Sequence, residues 1–293
     1  MTAPFRGPAD RDAIVARIAA HDLGSTPEAM RAGFARLVLG AGARAEPAGP
    51  GLRVGAGPTP GGLAVVPDGA RGAPVVWLHG GGYVFGAPET HLRAAAHLAR
   101  AAGRPVHLPR YRLAPEHPWP AQREDALAAL DAAGPGAVLA GDSAGGHLAL
   151  VCALARAGGP GAPSALLLFS PNTDRSGRNR SRARLSAVDP MVDDAEDRRL
   201  FEMCFGPDFD PADPEASPLL GDLSGLPPTW IEVGLPEVLH DDAVLLQHRA
   251  ATQGAAVDLH VTPGLLHMGQ VWAPWWDEAR ASLERAAAAL PAP

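Results

Sequence analysis

Lysine is absent from the 293-residue sequence, and all 25 basic residues are arginine. Together with 34 glycines, 31 prolines and abundant alanine, this composition is typical of a GC-rich genome and says nothing about mechanism. The 32 acidic residues give a formal net charge of −7, and no basic stripe offsets it. This charge balance argues against a nucleic-acid partner.

Cysteines and long apolar runs are also scarce. Cys152 and Cys204 are too few for a disulfide framework or a metal cluster. No segment approaches about 18 continuous apolar residues, and the first residues contain no apolar signal region. We therefore expect a cytoplasmic protein without a membrane span. Aromatic residues make up only 5% of the chain, but aliphatic residues are plentiful enough for one large core, with or without a lid.

Short apolar runs typical of buried strands alternate with helical patterns. The strand-like runs are 62–66, 74–78, 104–108, 136–140, 165–169, 229–233 and 257–261. The helical patterns are 11–21, 27–38, 88–102, 119–133, 143–157, 239–253 and 275–289. This alternation predicts an α/β protein with a mostly parallel central sheet and helices on both faces. Such sheets bind ligands beyond the carboxyl ends of their strands.

A polar insertion between about 172 and 218 interrupts the alternation and contains the helical stretch "AEDRRLFEMCF". We expect it to join the N-terminal helices as a lid over the carboxyl edge. The predicted division is an N-terminal helical segment at 1–45 and an α/β domain at 46–293 with an insertion at about 175–215. The glycine- and proline-rich stretch 54–62 is predicted to be a loop.

A nucleophile is indicated by "AVLAGDSAGGHLAL", in which a strand, a G-x-S-x-G turn and a helix follow one another. The glycines permit a turn so sharp that the Ser143 hydroxyl projects at the end of the strand. The positive end of the following helix then points at any oxyanion formed there. The alternative interpretation is a glycine-rich turn with a capping serine; the strand–turn–helix setting favours Ser143 as the nucleophile.

A serine nucleophile needs a base, and in this kind of site the acid and then the histidine follow the serine in the chain. His240 and His248 belong to a helical pattern, and His260 alternates within a strand. His267 follows the last strand in the loop "TPGLLHMG", where a base can reach across the sheet edge. We therefore assign His267 as the base.

Several carboxylates are candidates for the acid in "TWIEVGLPEVLHDDA". Glu232 lies inside a strand, whereas Asp241 and Asp242 begin a helix, where carboxylates are common because of the helix dipole. Glu237 lies in the loop between this strand and this helix, at the carboxyl edge. Its position favours Glu237, with Asp241 as the alternative.

Three consecutive glycines follow a strand in "HGGGYVFG". An acyl-transfer intermediate carries a full charge on oxygen, and fixed backbone N–H groups stabilise this charge best. Backbone can approach a substrate this closely only where no Cβ intervenes. We therefore assign Gly81 and Gly82, with the N–H of Ala144, to an oxyanion hole. His79 and Asp142 are expected to support the loops. A phosphate-binding loop is disfavoured because no G-K-[ST] follows.

These motifs resemble the hormone-sensitive-lipase-like (family IV) carboxylesterases of the α/β-hydrolase superfamily. The matching stretches include "HGGGYVFG", "YRLAPEHPWPA", "GDSAGG", "SPNTD", "DPADPEASPL", "LPPTWIEVGLPEVLHDDA" and "PGLLHMGQ", in family order from about residue 50 onward. The resemblance implies the α/β-hydrolase fold, with a catalytic domain at 46–293 and a small helical cap formed by the N-terminal segment at 1–45 and the insertion at about 175–215. It also implies Ser143 as nucleophile, Glu237 as acid, His267 as base and Gly81, Gly82 and Ala144 as oxyanion donors.

The expected function is hydrolysis of short- to medium-chain acyl esters through a covalent acyl-enzyme, without a metal or organic cofactor. A small-molecule acyl ester is the expected partner, and the resemblance alone makes a homodimer plausible. One alternative is an amide or formamide hydrolase, or an acyl hydrolase that tailors a biosynthetic product. Another, from a different class, is a non-catalytic receptor on the same fold, which the presence of His267 disfavours.

Overall fold

The computed structural model describes residues 9–40 and 50–292. The strands within this part of the chain are β1 (Leu52–Ala56), β2 (Leu63–Pro67), β3 (Val75–Leu78), β4 (Val106–Leu108), β5 (Val138–Asp142), β6 (Leu166–Phe169), β7 (Thr229–Gly234) and β8 (Val257–Thr262). The α-helices are α1 (Arg11–Ala19), α2 (Pro27–Leu39), α3 (Pro88–Ala102), α4 (Ala121–Ala133), α5 (Ala144–Ala155), α6 (Ser181–Leu185), α7 (Asp194–Phe205), α8 (His240–Thr252) and α9 (Asp277–Ala288).

The strands form one sheet in the order β1-β2-β4-β3-β5-β6-β7-β8. The β1–β2 and β2–β4 pairs are antiparallel, and every pair from β4 to β8 is parallel. All residues of β3, β5, β6 and β7 are buried, as expected for central strands with both faces covered. Helices α3 and α9 pack against each other, as do α4 and α5. The predicted fold class is confirmed.

The edge of the sheet at β1 differs from the prediction. Residues 54–56 belong to β1, which pairs with β2 from Leu52 opposite Pro67 to Ala56 opposite Leu63. The loop prediction for 54–62 is therefore wrong over its first residues, because the ladder to β2 outweighs the poor strand propensity of this glycine-rich stretch. The turn itself spans residues 57–62.

The segment between β6 and β7 contains α6 and α7 and lies at the same edge as the N-terminal helices. Thr26 caps α2 by accepting a hydrogen bond from the Ala29 N–H at 3.2 Å, and Pro27 opens the helix. Asp193 caps α7 in the same way through the Glu196 N–H. The predicted boundary between residues 45 and 46 lies outside the described residues.

Helix α2 is joined to the loops after β3 and β4 by Arg31. Its guanidinium donates to the Val84 and Ala114 carbonyls, each at 2.9 Å, and to both carboxylate oxygens of Glu116. The α2 helix is thereby fixed beside the loop that carries the three glycines. Nowhere in residues 9–40 and 50–292 is a helix both long enough and apolar enough to cross a membrane.

Candidate active site

Ser143 lies between β5 and α5 in a strained turn. Its backbone has φ +54° and ψ −120°, a conformation that costs a non-glycine residue about 1–3 kcal/mol. A Cβ at Gly141 would lie 2.2 Å from the Gly145 carbonyl oxygen, and a Cβ at Gly145 would lie 2.0 Å from that of Leu78. Glycine is therefore required on both sides of the serine for the turn to pack against β3.

The structure brings Ser143, His267 and Glu237 together in a hydrogen-bonded row. Ser143 Oγ donates to His267 Nε2 over 2.9 Å, and His267 Nδ1 donates to Glu237 Oε2 over 3.0 Å. The other carboxylate oxygen of Glu237 accepts the Gly234 N–H. A Cβ at Gly234 would lie 1.9 Å from the Leu265 carbonyl oxygen, so this glycine allows the acid loop and the histidine loop to cross.

The other candidate residues lie elsewhere. Asp241 accepts the Ser181 N–H at 2.9 Å and pairs with its neighbour His240 at 3.0 Å. His260 pairs with Asp258 on the same strand. Of the two carboxylates considered for the acid, the structure places Glu237 and not Asp241 against His267.

Burial and mutual charge set the protonation of the pair. Burial alone would lower the pKa of the His267 imidazole, but the hydrogen bond to Glu237 and the carboxylate charges raise the pKa above its ordinary value of 6.5. The pKa of Glu237 is also raised, chiefly by desolvation. The site thus favours an imidazole that readily holds a second proton.

The glycine loop lies beside the serine turn because β3 and β5 are neighbours, with Leu78 opposite Gly141. Gly81 has φ +120° and Gly82 has φ +58°, values that favour glycine. A Cβ at Gly81 would lie 2.3 Å from the Phe85 carbonyl oxygen, and one at Gly82 would lie 2.5 Å from a methyl group of Leu200. Both the backbone path and the packing of this loop therefore exclude side chains.

Ser143 and His267 face a cavity of about 190 Å³ that Gly81 and Gly82 also line. Its other walls include residues from outside the sheet: Ile18 on α1, Phe34 on α2, Leu200 on α7 and residues 190–192 before α7. Ala144 follows the serine directly and begins α5. The predicted nucleophile, base and glycines therefore share one apolar-walled cavity.

Comparisons with known proteins agree with this geometry. The family model for the alpha/beta hydrolase fold matches residues 75–270. The acetyl-hydrolase of Streptomyces hygroscopicus is 40% identical over 227 residues, or 75% of each chain. The ethyl acetate hydrolase of Pseudomonas putida is 35% identical over 210 residues, which cover 67% of this chain and 65% of the relative. A solved esterase of the bacterial hormone-sensitive lipase family is 32% identical, with a TM-score of 0.86 over 95% of this chain and 96% of that chain. The chain belongs to the hormone-sensitive-lipase-like esterases of the α/β-hydrolase fold.

As a member of this family the protein is a serine hydrolase that acts on ester bonds. In this esterase the buried carboxylate of Asp142 holds the glycine loop in place. One carboxylate oxygen accepts the Trp77 indole N–H at 2.8 Å; the other accepts the Gly80 N–H and the His91 Nε2–H, each at 3.1 Å. Although burial alone would raise the pKa of Asp142, its partners hold this pKa below the ordinary value. The carboxylate next to Ser143 in sequence is thus anchored to β3 and to the glycine loop.

His79 is buried at the base of the same loop. Its Nδ1 donates to the Gly80 carbonyl at 2.9 Å, its ring stacks on Tyr111 with centroids 4.2 Å apart, and its own carbonyl accepts the Tyr111 hydroxyl at 2.6 Å. Burial lowers the pKa of His79 to about 3. A neutral ring with these contacts is suited to holding the loop.

Two further contacts were not expected from the sequence. The Tyr83 hydroxyl is hydrogen-bonded to Nδ1 of His147 on α5, so the glycine loop is tied to the helix that follows the serine. Asp189 accepts the N–H of Val238, the residue after Glu237, at 2.9 Å. The position of Tyr83 directly after the three glycines was a signal for the first contact; nothing in the sequence indicated the second.

Proposed function

We propose that this esterase hydrolyses short- to medium-chain acyl esters through Ser143 as nucleophile, His267 as base and Glu237 as acid. The observation that supports this proposal is the buried row of hydrogen bonds, 2.9 Å and 3.0 Å long, that ends at the cavity. Both distances are within the range for proton transfer between positioned groups.

In the first half-reaction His267 Nε2 accepts the Ser143 proton while Oγ attacks the acyl carbon. Glu237 accepts the Nδ1–H bond throughout, which fixes the ring orientation and stabilises the imidazolium that forms. The imidazolium then gives its proton to the leaving alcohol. Water repeats the sequence on the acyl-enzyme and releases the acid.

The negative oxygen of each tetrahedral intermediate is proposed to bind the N–H groups of Gly81, Gly82 and Ala144. This assignment is supported by the cavity that Gly81 and Gly82 share with Ser143, and by the position of Ala144 directly after Ser143 at the start of α5. Each such donor contributes about 2.7–4 kcal/mol to transition-state stabilisation in serine hydrolases. His79 and Asp142 hold the donors in place before substrate binds.

The cavity volume supports a preference for small esters. At about 190 Å³, it is smaller than the roughly 300–1,000 Å³ of typical small-molecule pockets. Leu200 limits the space because it packs on Gly82. We further propose that α1, α2 and the insertion carrying α7 act as the cap of this cavity, since Phe34 and residues 190–192 form its walls.

A substrate series tests the function. Among p-nitrophenyl acetate, butyrate and octanoate, we expect kcat/KM to be highest for the acetate or butyrate and at least about 10-fold lower for the octanoate, because the longer chain exceeds the cavity. Aryl formamides serve as the matched amide series. Faster cleavage of the formamides than of the esters would replace the ester assignment with amide hydrolysis.

The acid side of the pH profile tests the role of His267. A base must be neutral, so kcat/KM falls as the pH drops through the histidine pKa in the free enzyme. Because this pKa is raised above 6.5, we expect the half-maximal point of the acid limb above pH 6.5. The measurement is kcat/KM for p-nitrophenyl acetate over a pH series at constant ionic strength. An acid limb centred well below 6.5 would contradict the assigned proton acceptor.

A further inference from the structure

Asp189 lies in the loop between α6 and α7 and is almost completely buried, with 8% of its surface exposed. One carboxylate oxygen accepts the Met191 N–H at 2.9 Å and the Val192 N–H at 3.3 Å. The other accepts the Val238 N–H at 2.9 Å. Three backbone groups from two separate segments therefore converge on one side chain.

These two segments belong to different parts of the site. Met191 and Val192 form a wall of the cavity beside Ser143. Val238 directly follows Glu237 and is itself fully buried. Hydrogen bonds from backbone N–H groups to a carboxylate are shorter and stronger than those between neutral partners. Displacement of the wall at residues 191–192 is thus resisted by the same carboxylate that anchors the Glu237 loop.

We propose that Asp189 is a positioning residue that joins the substrate-contacting wall to the loop of the acid Glu237. The inference rests on the proposed roles of Glu237 and His267 and adds a residue from the cap segment to them. It predicts that the wall contacts and the orientation of the acid depend on one side chain. Loss of that side chain should therefore affect both KM and kcat.

The charge of Asp189 gives a measurement that distinguishes the proposed positioning role from simple packing of the loop. The titratable groups near His267 are Glu237 on the loop before α8, Asp189 on the cap loop and Asp142 at the end of β5; His21, Glu196 and Asp197 line the same cavity. The charge of Asp189 contributes to raising the pKa of both His267 and Glu237. Removing this charge should lower the pKa of the imidazole.

The test compares Asp189→Asn with the wild-type enzyme on p-nitrophenyl acetate across pH. The asparagine side chain keeps one acceptor oxygen and loses the other. We therefore expect kcat/KM to fall about 10-fold, which corresponds to the loss of one hydrogen bond to a charged group. KM should rise and kcat should fall. The acid limb should move to lower pH because imidazolium is less stabilised. Wild-type kinetics together with an unmoved acid limb would overturn the proposal.

Two further variants make the result unambiguous. Asp189→Glu keeps the charge and shifts its position, so its acid limb should stay at the wild-type pH while KM rises; a limb displaced as far as in Asp189→Asn would contradict the charge argument.

Asp193→Asn removes the same charge from an exposed residue nearby and retains a helix-capping side chain. If it reproduces the effects of Asp189→Asn, Asp189 has no special role. Failure of the proposed function would be distinct, since the wild-type enzyme would then not depend on Ser143.

Discussion

Replacing Ser143 with alanine is expected to lower kcat for p-nitrophenyl acetate by about 10⁶-fold, as for the loss of a nucleophile in other serine hydrolases. The substitution removes only Oγ, since alanine retains the Cβ. The turn is held by Gly141, Gly145 and the end of β5, so the variant should fold as the wild-type protein does. Steady-state hydrolysis and thermal melting together measure the two effects.

Labelling with a fluorophosphonate provides the direct readout for this variant. The wild-type protein should gain one phosphonyl group by intact mass and Ser143→Ala none. Ser217→Ala is a suitable control because Ser217 is a buried serine whose hydroxyl contacts only Pro211 and the Arg175 backbone among the hydrogen bonds of the described residues. Substantial hydrolysis or labelling by Ser143→Ala would show that another residue attacks the ester.

Glu237→Gln should lower kcat by about 10⁴-fold, whereas Asp241→Asn should stay near wild type. Replacing a triad carboxylate by its amide preserves shape but removes the acceptor that fixes the histidine tautomer and stabilises the imidazolium. Asp241 instead accepts backbone N–H groups at the start of α6, a role that asparagine can take over. Each variant differs from the wild-type protein by the loss of one carboxylate, so the two form a matched pair.

The comparison uses kcat from the same ester assay and thermal melting for both proteins. A large loss in Asp241→Asn with little change in Glu237→Gln would transfer the acid role to Asp241. Comparable losses in both, with melting unchanged, would indicate that the acid role is shared. Only a loss confined to Glu237→Gln agrees with the 3.0 Å contact between Glu237 and His267.

The sheet was largely predictable because its central strands are short apolar runs that helical patterns separate. Strand β1 was not predicted because Leu52 and Val54 are its only large apolar residues. The ladder to β2, rather than the β-propensity of these residues, stabilises the strand. Helix α6 is short and polar, and contacts with distant residues hold it: the Ser181 hydroxyl donates to the Val238 carbonyl at 2.7 Å.

The grouping of the candidate site residues was predictable for a topological reason. The glycine loop, Ser143, Glu237 and His267 each follow a strand, and parallel strands end at one edge. Position in the chain favoured Glu237, with Asp241 as the alternative, because Glu237 lies in the loop between strand and helix. The close approach of Gly234 to the Leu265 carbonyl, by contrast, is a feature of the folded backbone that the sequence pattern did not indicate.

The individual side chains of the cavity walls could not be predicted from the sequence, although the segments that carry them were expected to form a lid. Phe34 is far in the chain from residues 190–192 and Leu200, and no periodicity relates these positions. Asp189 was missed in the same way, since its partner Val238 is 49 positions away. Contacts of this kind follow from how the loops cross, which local patterns do not encode.

The origin of the cavity walls has an evolutionary consequence. The segments that carry the chemistry emerge from β3, β5, β7 and β8, whereas the walls come from α2, α7 and the loop before α7. Mutation of wall side chains such as Phe34 can therefore change the walls while the reacting groups stay under separate selection; Asp189, which joins the wall to the Glu237 loop, is the exception. A lineage with this architecture can acquire new ester preferences by drift in its outer segments and keep one inherited reaction.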